Sequence, residues 1–133
     1  MSIKWFNDEN DKAKSGTKSA VRALQAWQYL IGKASNRQIS RYKKLTELME
    51  YNGDNRPVRL ALGCIMFYCQ QNDLPALTVI VVNKEGVPGK GFTAVPPSEI
   101  PKEREKVFSY QWYKLMPPTV EDFVEARKIQ NQG

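Results

Sequence analysis

Eight side chains carry groups suited to holding a phosphate backbone: Arg41, Lys43, Lys44, Asn55, Arg56, Arg59, Lys84 and Lys90. Seven are cations, and six of the eight fall within nineteen residues of one another, between positions 41 and 59. Between Lys12 and Arg59, eleven basic residues stand against three acidic ones, Glu47, Glu50 and Asp54. The remainder of the chain is nearly balanced, so the net charge of +6 is concentrated in one half. A basic half beside a neutral one points to a face built for a polyanion, with nucleic acid the leading candidate.

The residue types that are missing narrow the chemistry further. Histidine is absent, which removes the commonest general base and the commonest zinc ligand together. The two thiols, Cys64 and Cys69, are five apart in an apolar run. On a helix that spacing turns the second about 140° from the first, which argues for buried free thiols rather than a disulfide. Glu121, Asp122 and Glu125 open a capped helix, where the dipole accounts for them. No nucleophile stands beside a base, so the expectation is a protein without catalytic activity, metal or cofactor.

The elements that must position the cations follow from periodicity. Ala20, Leu24, Trp27 and Ile31 recur at helical spacing, with Thr17 or Ser19 as cap and Gly32 near the end. A second helix starts after Ser40, read as its cap, with Tyr42, Leu45, Leu48 and Met49 inward and Lys43, Lys44 and Glu47 outward. Asn52 and Gly53 offer left-handed positions to stop it. A third begins at Asp54 or Asn55 with Pro57 in its first turn. It sets Val58, Ala61, Leu62, Ile65 and Cys69 on one side and Arg56, Arg59, Gly63 and Gln70 on the other. The run "LTVIVVN" is the most strand-like in the chain, and "FTAV" is read as its antiparallel partner across the basic tip "NKEGVPGKG". A helix or helical turn is expected over "SEIPKEREKVFSYQWYKL", and a final helix from the cap Thr119 onward. The aromatic group Phe108, Tyr110, Trp112 and Tyr113 is assigned chiefly to the core.

Two helices joined by a turn, then a hairpin with a basic tip, is the order of a winged helix, in which the second helix enters the major groove and the wing reaches the flanking backbone. The fold expected is mainly α with a small β-hairpin (α+β), a winged helix-turn-helix-like domain with extra N- and C-terminal helices. It comprises an arm over 1–16 and a single domain over 17–133, with its core at 39–95 and a helical extension at 98–131. The run from "ISRYKKLTELMEY" through "NRPVRLALG" to "LP" and "VVNKEGVPGKGF", about residues 39 to 92, resembles the DNA-binding domain of the O6-alkylguanine-DNA alkyltransferases and their alkyltransferase-like relatives. The catalytic Pro-Cys-His-Arg motif of that family is replaced by "PALTVIVV", without cysteine or histidine, which rules out alkyl transfer through a thiolate at that position. Leu60 takes the place of the arginine that the family inserts into the base stack, with Arg59 one residue earlier.

The partner expected is therefore nucleic acid, double-stranded DNA first. A basic interaction module that docks an acidic protein, and an RNA-binding accessory protein, stay open beside it. No apolar run approaches the roughly 18 residues of a membrane span, and "MSIKWFNDEN" is polar rather than signal-like, so a cytoplasmic address is expected.

Overall fold

The structure is a computed structural model that describes residues 3, 6, 18–51 and 56–132. Most of the arm expected over 1–16, with Trp5, the cap Thr17, the stop signals Asn52 and Gly53, and the cap candidates Asp54 and Asn55 lie outside the described residues.

Five α-helices and one small sheet are described: α1 (Lys18–Ser35), β1 (Ser40–Arg41), α2 (Tyr42–Leu48), α3 (Arg56–Gln71), β2 (Val81–Val82), α4 (Ile100–Ser109) and α5 (Val120–Gln132). Short 3-10 turns occupy Leu77–Ile80, Pro97–Glu99 and Trp112–Lys114. The fold is thus mainly helical with a two-stranded sheet.

The buried stripe of α1 is built largely of alanine, with Ala20, Ala23, Ala26 and Ala34 beside Trp27 and Leu30, so α3 and α5 approach its backbone closely. The inward side that periodicity predicts for α3, Val58, Ala61, Leu62, Ile65 and Cys69, is buried throughout, and Cys64 and Met66 are buried beside it. Burying each large aliphatic side chain there contributes about 1.5–3 kcal/mol relative to leaving it in water. Trp27 sits at the centre of an aromatic cluster, edge-on to Tyr68 at 5.7 Å and to Trp112 at 5.6 Å, with Phe123 tilted at 6.1 Å. The Trp112 indole N–H donates to the Val107 carbonyl at 2.8 Å, which lets a polar aromatic occupy the core. Of the four aromatics read as core, Trp112 is buried, Phe108 and Tyr110 are half-buried against it, and Tyr113 is exposed.

Helix ends follow local chemistry. At α5, the Thr119 hydroxyl accepts from the Asp122 N–H at 3.1 Å while the Asp122 carboxylate accepts from the Thr119 N–H at 2.8 Å, a reciprocal cap. Helices α1, α2 and α3 each end in a left-handed residue that is not glycine: Arg37 (φ 56°), Glu50 (φ 60°) and Asp73 (φ 54°). In each, the next amide reaches back five residues, from Gln38 to Lys33, Tyr51 to Thr46 and Leu74 to Cys69. Arg37 also pairs with Glu105 and lies over the Phe108 ring at 5.3 Å, so the end of α1 is tied to α4.

Three sequence expectations are corrected. The first is the antiparallel hairpin: β2 pairs with β1, in parallel, with Ser40 opposite Val81 and Arg41 opposite Val82. "FTAV" forms no strand. The physical reason is that Val79, Ile80, Val81 and Val82 are all buried, as befits a parallel strand covered on both faces rather than one arm of a half-solvated hairpin. The second is the cap at Ser40, which is a buried strand residue whose hydroxyl donates to the Tyr29 hydroxyl at 3.2 Å, leaving Arg41 at the helix start without a side-chain cap. The third is Leu48, which is exposed rather than part of the inner face of α2.

Candidate nucleic-acid interface

After Val82 the chain folds on itself. The Asn83 side-chain oxygen accepts from the amides of Glu85 (3.0 Å) and Val87 (3.3 Å), and the Asn83 N–H donates to the Val87 carbonyl at 2.8 Å. Gly86 supplies the positive φ (81°) that this tight loop requires. Arg41 reaches across from β1 and its guanidinium donates to the carbonyls of Asn83 (3.2 Å) and Lys84 (3.3 Å). The parallel pairing thus brings the start of α2 beside the turn at 83–91, and Arg41 fastens one to the other. Gly89 lies against the Tyr42 ring so closely that a Cβ there would come within 3.2 Å of it.

Between these walls runs an open groove of about 1280 Å3. Arg41, Lys43, Glu47 and Glu50 line it from the β1–α2 segment, Arg59 from α3, and Lys84 and Lys90 from the turn. Tyr42, Thr46 and Tyr51 complete the wall beside the backbone of Gly89 and Gly91. Five of the eight residues singled out in the sequence therefore meet in one groove, although they come from three separate stretches of chain. Among the described residues, none of the five cations and neither of the two carboxylates makes an ion pair; the pairs present are Arg37 with Glu105 and Glu103 with Lys106. Burial of Tyr42 raises the pKa of its hydroxyl, an effect opposed in part by the Arg59 charge, so the phenol stays neutral at physiological pH.

Of the remaining three, two fall elsewhere. Arg56 borders a neighbouring depression of about 380 Å3, together with Lys18, Arg22, Leu60 and Arg127. Tyr51 lines both it and the groove. Lys44 is exposed on α2 outside the groove lining. Asn55 lies outside the described residues. Glu47, expected on a solvated helix face, and Glu50 are also part of the groove. Their only signal in the sequence is the three-residue spacing that puts both on one side of a helix.

The thiols offer no chemistry at this surface. Both are free and buried, and burial pushes the Cys69 thiol up to about 12, with the Leu77 amide partly opposing it. Among the described residues, no three of His, Cys, Asp or Glu are close enough to hold a metal ion. No helix among them is long and apolar enough to cross a membrane. Comparison with family models, curated proteins and solved structures finds no match to this chain.

Proposed function

We propose that this is a non-catalytic nucleic-acid-binding protein that holds duplex DNA in the groove between α2, the first turns of α3 and the turn at 83–91. One observation supports this reading above the others: five cations from three segments line a single open groove without ion-pair partners among the described residues. The five cations are exposed and outnumber the two carboxylates beside them, and a phosphate backbone can meet several of them at once. The turn at 83–91, fastened by Arg41, takes the part of a wing although it is no hairpin. We read α2 and α3 as the helix pair of a winged helix-turn-helix variant in which α2, rather than the second helix, faces the DNA, the reading suggested by the alkyltransferase-like resemblance of residues 39 to 92.

Fluorescence anisotropy with duplex DNA, single-stranded DNA and RNA at two salt concentrations tests it. Wild type is expected to bind the duplex with marked salt dependence, and the Arg59→Ala/Lys84→Ala/Lys90→Ala variant to bind it more weakly with a shallower salt slope. Equal binding by the variant would remove the groove from consideration. No binding to any nucleic acid would redirect the search to an acidic protein.

A further inference from the structure

Two carboxylates share the groove with its five cations. Glu47 stands four residues after Lys43 on α2, a spacing that puts the two within reach of an ion pair, and none forms. A surface that only tracks phosphates gains nothing from Glu47 and Glu50, because each repels the backbone. What a carboxylate offers in such a place is an acceptor for an exocyclic amino group. Among the base edges of the major groove, the cytosine N4 amino group is the donor that Glu characteristically reads.

We infer that Glu47 and Glu50 are specificity determinants that accept hydrogen bonds from cytosine N4 amino groups while the surrounding cations hold the flanking phosphates. This rests on the nucleic-acid reading above. One face of α2 then carries both functions a turn apart, with Lys43 positioning the backbone and Glu47 reading a base edge. The Thr46 hydroxyl between them donates to the Tyr42 carbonyl at 2.8 Å, which takes its proton out of play for a base. Thymine and guanine present no amino donor at that edge, and adenine sets its N6 amino group beside the N7 acceptor, which repels a carboxylate and suits an amide instead.

The test is selection from a randomised pool of short labelled duplexes, followed by anisotropy titration of the winning duplex and of its copy with the preferred C·G pairs replaced by T·A. Wild type, Glu47→Gln, Glu47→Ala and Glu50→Ala are compared. Both glutamates are exposed, so the substitutions spare the core, and circular dichroism verifies the fold. The expected result is a preference of about 5- to 100-fold for the C·G duplex in wild type. It falls toward unity in Glu47→Ala and moves toward A·T pairs in Glu47→Gln, since an amide pairs with adenine N6 and N7. An equal gain in affinity for every duplex in all three variants would show that the carboxylates merely repel the backbone, and would overturn the inference while leaving the groove's function standing. Wild-type binding without any sequence preference overturns it in the same way. Absence of duplex binding by wild type would instead overturn the nucleic-acid reading itself.

Discussion

Thr78 places a hydroxyl in the 3-10 turn before β2, buried and with no hydrogen-bond partner among the described residues. A lone buried hydroxyl costs on the order of 1 kcal/mol or more, and valine has the same shape without it. Thr78→Val is therefore expected to raise stability by about 1 kcal/mol, read as a higher urea midpoint at unchanged m-value. An unchanged or lower midpoint would mean the hydroxyl is satisfied in solution. Cys69 gives a second expectation at this scale. Its thiol titrates near 12 in the folded chain and near 9 when unfolded, so between those values the native state holds a proton that the unfolded state has lost. Stability is then complete below pH 9 and declines as pH rises above it, by at most about 1.4 kcal/mol per pH unit for this one group. Cys69→Ala should show a shallower decline between pH 9 and 11 in denaturant titrations, and an identical slope would rule out this source.

Among the elements, the three helices that end in Arg37, Glu50 and Asp73 pay for left-handed backbone with residues that bear a Cβ. That conformation costs a non-glycine residue roughly 1–2 kcal/mol, offset in part by the greater freedom glycine has when unfolded. Asp73 is exposed, and no salt bridge holds its side chain among the described residues. Asp73→Gly is therefore expected to stabilise the protein by up to about 1 kcal/mol, measurable as a rise in Tm; a fall would indicate that the side chain caps the turn. These ends also mark where the sequence stops being legible. Helices α1 and α3 could be read from the spacing of Ala20, Trp27, Val58 and Ile65, and α5 from the cap at Thr119, because periodicity and capping are local signals. Arg37 and Glu50 carry no stop signal of their own; they are held left-handed by backbone bonds reaching back five residues. The run "TVIVV" is β-branched and buried throughout, so it has no polar–apolar period that separates a 3-10 turn from a strand. Its partner, Ser40–Arg41, is two residues long and distant in sequence, and nothing local announces it.

For the molecule as a whole, charge placement was the most legible feature and its compensation the least. The basic half visible between Lys12 and Arg59 supplies three of the groove's cations, and the turn adds Lys84 and Lys90. That the carboxylates of Glu47 and Glu50 face the same space could be seen only once α2 was placed against the turn. If each of Arg59, Lys84 and Lys90 neutralises one phosphate, removing all three is expected to lower the slope of log K against log salt by about 2.7 for duplex DNA. A drop near zero with reduced affinity would mean that these residues shape the groove without touching the backbone.

The groove is closed on one side by four residues. Ser40 and Arg41 meet Val81 and Val82 across forty residues of chain, and this short ladder, with the guanidinium of Arg41, is what keeps the turn at 83–91 beside α2. The ladder is short but Ser40, Val81 and Val82 are buried, so amide exchange at Arg41 and Val82 tells whether the seam opens apart from the packed helices behind it. If the seam does open, a polyanion that bridges Lys43 and Lys84 is expected to bind only its closed form and to act as a clasp, slowing amide exchange at Arg41 and Val82 before it does anything to the core.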